Sequence, residues 1–180
     1  MKKLYLLAIA LLCATQSVSA AGRGILDRAA LYPSKNPITS SGTQKILPGV
    51  IEVWIFKRHT DLSPKKPVYI VHFGGNASRA EWGGPDFLDD FPSQVEPIAW
   101  VVNYPGYGGS AGEAKLSEFP RTALQVYEAI QEEAKGAPIW VSSFSIGTLP
   151  ALYLAQAKKV DAMVLKNPIP LNEFIELKFS

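Results

Sequence analysis

The chain has 180 residues but only one cysteine and two histidines. With so few ligands, a multi-histidine metal centre is excluded, and so are thiolate zinc and iron–sulfur sites. No metal and no cofactor is therefore expected. Net charge is small as well. The formal net charge of +2 equals the contribution of Lys2 and Lys3 alone, so the remainder of the chain is balanced. A balanced chain has no basic excess with which to hold nucleic acid or an anionic membrane. Repeats and low-complexity tracts are absent too. What is abundant is apolar surface: 47% of residues are hydrophobic and 19% charged, with 14 glycines and 14 prolines. That composition is globular, too apolar for disorder and too rich in Gly and Pro for a helical array.

Residues 1–20 read as an export signal. Lys2 and Lys3 form a basic start, Leu4–Leu12 is apolar, and Val18-Ser19-Ala20 offers small residues for cleavage. The apolar run is shorter than the ~20 residues that span a bilayer. Cys13 is not read as a lipidation site, because Leu12 stands where a small residue is needed. Cleavage after Ala20 removes the only cysteine and leaves a secreted or periplasmic protein without disulfides. Only an uncleaved signal would keep it near a membrane.

Residues 21–45 read as an N-terminal extended segment with few packing signals, and 46–180 as the folded domain. Five apolar, β-rich runs follow: Val50–Phe56, Pro67–Phe73, Ile98–Val102, Pro138–Val141 and Ala162–Leu165. The polar, proline-containing stretch Lys57–Lys66 suits a hairpin-like connection between the first two. Continuous apolar runs are typical of strands covered on both faces. Between them, Ser117–Ala134 places Leu124, Val126, Tyr127 and Ile130 at helical spacing behind a Ser117 cap. Ile146–Lys158 reads as a second helix, and Ser78-x-x-Glu81 as a capping box opening a shorter one. Strand–helix alternation predicts an α/β domain with a mostly parallel sheet and flanking helices.

Three loops carry the chemistry. In Ser143-Phe144-Ser145-Ile146-Gly147 a strand runs straight into a helix through a small-x-Ser-x-small turn. A turn that tight excludes bulky neighbours and projects the Ser145 hydroxyl free of the sheet. The Ile146 backbone N–H then lies where it can donate to an oxyanion. A serine at a strand–helix junction also fits a plain N-cap. Ser142 and Ser143 are read as small packing residues. The second loop, Phe73-Gly74-Gly75-Asn76-Ala77, ends an earlier strand and can turn its N–H groups toward a neighbouring site. A plain Gly-Gly turn with Asn76 at a helix start is the other reading. The third, Asn103–Gly112, contains a G-x-G-x-x-A match at Gly106, Gly108 and Ala111. A dinucleotide fingerprint needs a helix to open inside the motif, and an acid about 20 residues on at a strand end. Here the next helix waits until about Ser117, and Glu132 and Glu133 fall within it.

Taken in order, F-G-G-N-A, N-Y-P-G-Y-G-G-S-A-G, S-F-S-I-G and L-K-N-P (Leu165–Pro168) resemble the α/β-hydrolase superfamily. More narrowly, they are similar to the BEM46-like and ABHD-type serine hydrolases of the serine aminopeptidase S33 type. The likeness covers about Val50–Ser180. It implies Ser145 as nucleophile, with Ile146 and Asn76 donating backbone N–H groups to the oxyanion. It also implies a small-molecule or acyl substrate, and Tyr104–Gly112 as a structural loop. Gly74 stands where many relatives carry histidine.

A serine nucleophile needs an imidazole and a carboxylate, which in this superfamily follow it in the chain. No histidine follows Ser145. His59 reads as a surface residue and His72 as a packed strand residue. Asp161 precedes a strand, and Glu173 and Glu176 lie in the closing segment. The expectation is an α/β-hydrolase fold lacking its last strands, with activity impaired, or else a non-catalytic hydrolase-like binding protein or truncated gene product.

Overall fold

The computed structural model describes residues 27, 31–36, 38–58, 67–83 and 85–169. The expected signal, His59, Glu173 and Glu176 lie outside these residues. No helix among the described residues is long and apolar enough to cross a membrane.

Six strands form one mixed sheet: β1 (Thr43–Leu47), β2 (Ile51–Lys57), β3 (Pro67–Phe73), β4 (Glu96–Val102), β5 (Ile139–Phe144) and β6 (Ala162–Lys166). Their spatial order is β1-β2-β4-β3-β5-β6. β1 and β2 pair antiparallel, as do β2 and β4, and the other three pairings are parallel. The expected hairpin between β2 and β3 is therefore not formed, because β4 lies between them. Arg58 shows why. Just past β2, its guanidinium donates to the carbonyls of Leu88, Phe91, Pro92 and Val95 at 2.8–3.2 Å. These bonds hold the end of β2 to the segment that leads into β4. β1 also differs from the expectation: Thr43–Lys45 belong to the segment expected to carry few packing signals, yet they pair antiparallel with β2 as an edge strand.

Alternation along the strands divides the core. Val53, Val71, Phe73, Trp100, Val102 and Val141 face α2 (Phe119–Ala134) and α3 (Thr148–Ala157). Phe56, Val68, Ile70, Ala99 and Val101 pack on the opposite face against Ala80, Leu88 and Phe91, beside the one-turn helix α1 (Pro85–Leu88). Phe73, Ile70 and Phe119 are almost fully out of water. Each contributes roughly 1.5–3 kcal/mol of transfer free energy. In α2 the buried positions Ala123, Val126, Tyr127, Ile130 and Ala134 keep helical spacing along one stripe. The helix starts later than its sequence suggested. A turn of 3-10 helix occupies Leu116–Glu118, and no side chain caps α2, so Ser117 is not its cap. Lys135 (φ +48°) and Gly136 (φ +90°) end it in the left-handed region.

Candidate active site

β5 ends at Phe144, and Ser145–Gly147 make a single 3-10 turn before α3 begins at Thr148. Ser145 sits at φ +51°. For a residue with a Cβ that conformation costs about 1–2 kcal/mol, so the surrounding contacts must hold it in place. Its neighbours leave little room. A Cβ on Gly147 would lie 2.7 Å from the Phe73 carbonyl carbon and 2.8 Å from the Gly74 oxygen, closer still to the Phe73 oxygen. Ser143 is fully buried with no partner for its hydroxyl, in keeping with its reading as a packing residue.

The turn after β3 comes to the same place. A Cβ on Gly75 would meet the Phe144 ring at 2.7 Å and the Ser145 Cβ at 3.5 Å. The structure therefore brings two of the three sequence motifs together, with Gly75 against Ser145. Ser78 shapes this turn: its hydroxyl donates to the Gly75 carbonyl at 2.7 Å. It does not cap a helix, and Glu81 is bound to Arg79 and Asn103, so the expected capping box is absent. Any side chain at position 74 would collide with Ser78, which gives Gly74 a local reason. The Asn76 side-chain oxygen accepts from the Tyr32 N–H at 2.8 Å and from the Tyr107 hydroxyl at 3.2 Å.

His72 is the only histidine among the described residues. Its Nδ1 lies 3.1 Å from the Ser142 hydroxyl, and its ring meets Phe87 edge-on at 4.5 Å. It is thus a packed strand residue, engaged with Ser142 rather than with the elbow serine. It also helps line a pocket of about 180 Å³, together with Gly74, Gly75 and Phe144. Asp161 is structural, accepting from the Ile139 N–H at 2.9 Å.

Burial, followed by the Lys166 ammonium, lowers the His72 pKa to about 4; Asp90 opposes this weakly. A folded-state pKa below the unfolded value of about 6.5 means that the unfolded chain binds the extra proton, so stability falls as pH drops through that window. Between pH 7 and 4.5 His72 should cost about 2 kcal/mol. Urea unfolding at both pH values should show this loss in the wild type and much less of it in His72→Phe. Equal pH dependence in the two proteins would contradict the assignment.

The third motif is an ordered loop. Gly106 and Gly108 have positive φ, and no helix opens before Leu116. A Cβ on Gly108 would lie 2.5 Å from a Glu52 carboxylate oxygen. These glycines thus serve packing, which removes the structural basis for a dinucleotide fingerprint. The sequence reading did not anticipate the buried polar residues around this loop, namely Glu52, Arg79, Glu81 and Asn103. Glu52, lying among Ile51, Val53 and Trp54, was the available signal. Burial raises its pKa most strongly among the individual causes, but hydrogen bonds led by the Gly109 N–H outweigh it and leave the value lowered.

No known family's sequence profile matches the chain, and no curated protein is detectably similar to it. Solved structures do match. A lidless α/β serine hydrolase from Xanthomonas campestris superposes with a TM-score of 0.52 at 17% identity, over 73% of this chain and 62% of its own. A Pyrococcus furiosus esterase gives 0.54 at 16%, over 79% and 58%. A siderophore hydrolase from Aspergillus fumigatus gives 0.53 at 16%, over 77% and 45%. The chain has the α/β-hydrolase fold, a mostly parallel mixed sheet with flanking helices. It spans less than two thirds of the length of each of these structures.

Proposed function

We propose that the protein is an exported serine hydrolase of ester, thioester or amide bonds, of the BEM46-like type, acting through an acyl-enzyme at Ser145. The observation that carries this reading is the strained Ser145 at φ +51° on a strand–helix turn, with Gly75 packed against it. In this reading Ser145 Oγ attacks the substrate carbonyl carbon, and its proton passes to a base. The carbonyl oxygen becomes an oxyanion, held by the backbone N–H groups of Ile146 and Asn76. Collapse expels the alcohol, thiol or amine, and water then releases the acyl group. Because no histidine follows Ser145 and His72 is bound to Ser142, this reading includes a triad without its base among the described residues and hence an impaired activity. A second reading, a hydrolase-like binding protein, is favoured by the commitment of His72 to Ser142.

A fluorophosphonate probe separates the two. The folded wild type should become labelled at Ser145, as located by peptide mass spectrometry. Ser145→Ala should lose the label without losing its melting transition. Folded wild type that takes up no label would overturn the catalytic reading and leave the binding protein.

A further inference from the structure

We propose that the loop after β4 is a positioning device, which holds the Gly74–Ala77 turn against the elbow and thereby sets the reactivity of Ser145. This inference rests on the hydrolase reading above. The sheet order supplies the logic: β3 lies between β4 and β5, so its C-terminal turn is flanked by the Asn103–Gly112 loop on one side and Ser145 on the other.

The β4 loop grips the β3 loop at successive points. The Tyr104 hydroxyl donates to the Gly74 carbonyl at 2.9 Å, and the Tyr107 hydroxyl to the Asn76 side chain at 3.2 Å. Asn103 takes the Ala80 N–H at 2.8 Å on its oxygen and gives its amide to Glu81 at 2.8 Å. Since an N–H faces one end of this amide and carboxylates the other, its orientation is fixed. The grip is itself anchored to the sheet. Asn103 donates to the Glu52 carboxylate at 2.5 Å, and the Gly109 N–H to the same oxygen at 2.6 Å. The Ser110 hydroxyl donates to the Asn103 carbonyl and accepts from the Glu52 N–H.

Both tyrosines are suited to hold rather than to react. Burial raises the Tyr107 phenol to about 12 and the Tyr104 phenol well beyond its usual value, so both stay protonated donors. Their rings are fixed independently of the hydroxyls. Tyr104 stacks on Phe119 at 4.3 Å and meets Tyr107 edge-on at 5.6 Å. Removing the hydroxyls therefore releases the turn while the rings keep their packing.

The test is the double variant Tyr104→Phe/Tyr107→Phe, read by amide hydrogen exchange and by fluorophosphonate kinetics at Ser145. With its melting transition retained, exchange at Gly75, Asn76 and Ala77 should quicken about tenfold. The maximal labelling rate should fall about tenfold, while the half-saturating probe concentration stays put; a tenfold change reports about 1.4 kcal/mol at the transition state. A folded double variant with unchanged exchange and labelling would overturn the proposal. Quickened exchange with unchanged labelling would overturn its claim on reactivity. If the wild type takes no label at all, the hydrolase reading fails; the exchange result then still decides whether the tyrosines hold the turn.

Discussion

Arg79→Met should lower the unfolding free energy by about 3–5 kcal/mol. The Arg79 side chain is 2% exposed and that of its partner Glu81 is 4% exposed. The guanidinium bonds Glu81 through Nε and Nη2, and spends Nη1 on the Asn36 carbonyl at 2.7 Å and the Ser34 hydroxyl. Methionine keeps much of the volume but leaves the Glu81 carboxylate enclosed with Asn103 as its remaining described donor. The intact pair adds little over an apolar pair of the same shape; the penalty comes from stranding one charge. The double variant Arg79→Met/Glu81→Leu should therefore be more stable than Arg79→Met alone, with a coupling of about 2 kcal/mol. Urea unfolding of the four proteins completes the cycle. A single-variant loss under about 1 kcal/mol, or strict additivity, would contradict this account.

Gly147→Ala should cost about 3 kcal/mol and remove fluorophosphonate labelling of Ser145. The added methyl would press on the main chain of Phe73 and Gly74, which is fixed in the sheet and in the β3 turn. Neither group is the flexible end of a side chain, so relief requires α3 to withdraw from β3. That withdrawal would pull the elbow away from Gly75. Gly136→Ala is the natural contrast. Gly136 has φ +90° but open space around its missing side chain, so it carries only a conformational cost of about 1–2 kcal/mol. It should leave labelling intact. Melting curves and labelling of both variants would decide the matter, and a fully labelled Gly147→Ala would contradict the geometry.

β3, β4 and β5 were legible because each is an apolar run that is mostly buried, and the elbow because its small-x-Ser-x-small spacing has a steric cause. β6 was legible as an apolar run too, but Met163 and Val164 are exposed rather than covered. Their arrangement was not legible. The hairpin expected from Lys57–Lys66 required local pairing, yet β2 pairs with β4, and Arg58 ties its end to the segment leading into β4 by long-range bonds that no periodicity records. β1 escaped notice because, as an edge strand, four of its five residues are exposed or only half-buried. Ser78 and Glu81 matched a capping pattern, but stronger partners claimed both: the Gly75 carbonyl for one and Arg79 for the other. The polar network failed to show for a related reason. Glu52 and Asn103 stand 51 positions apart in sequence, and only the fold brings them within bonding distance.

The sheet order also constrains how the chain can assemble during synthesis. β3, the strand that carries the Gly74–Ala77 turn, has neighbours only in β4 and β5, and both are made after it. Until Glu96–Val102 has left the ribosome, the only strand pairing open to the described residues is the β1–β2 ribbon. A two-stranded ribbon is marginal in water by itself. β3 must therefore wait unpaired for its partners, and the catalytic serine candidate arrives only with the second of them.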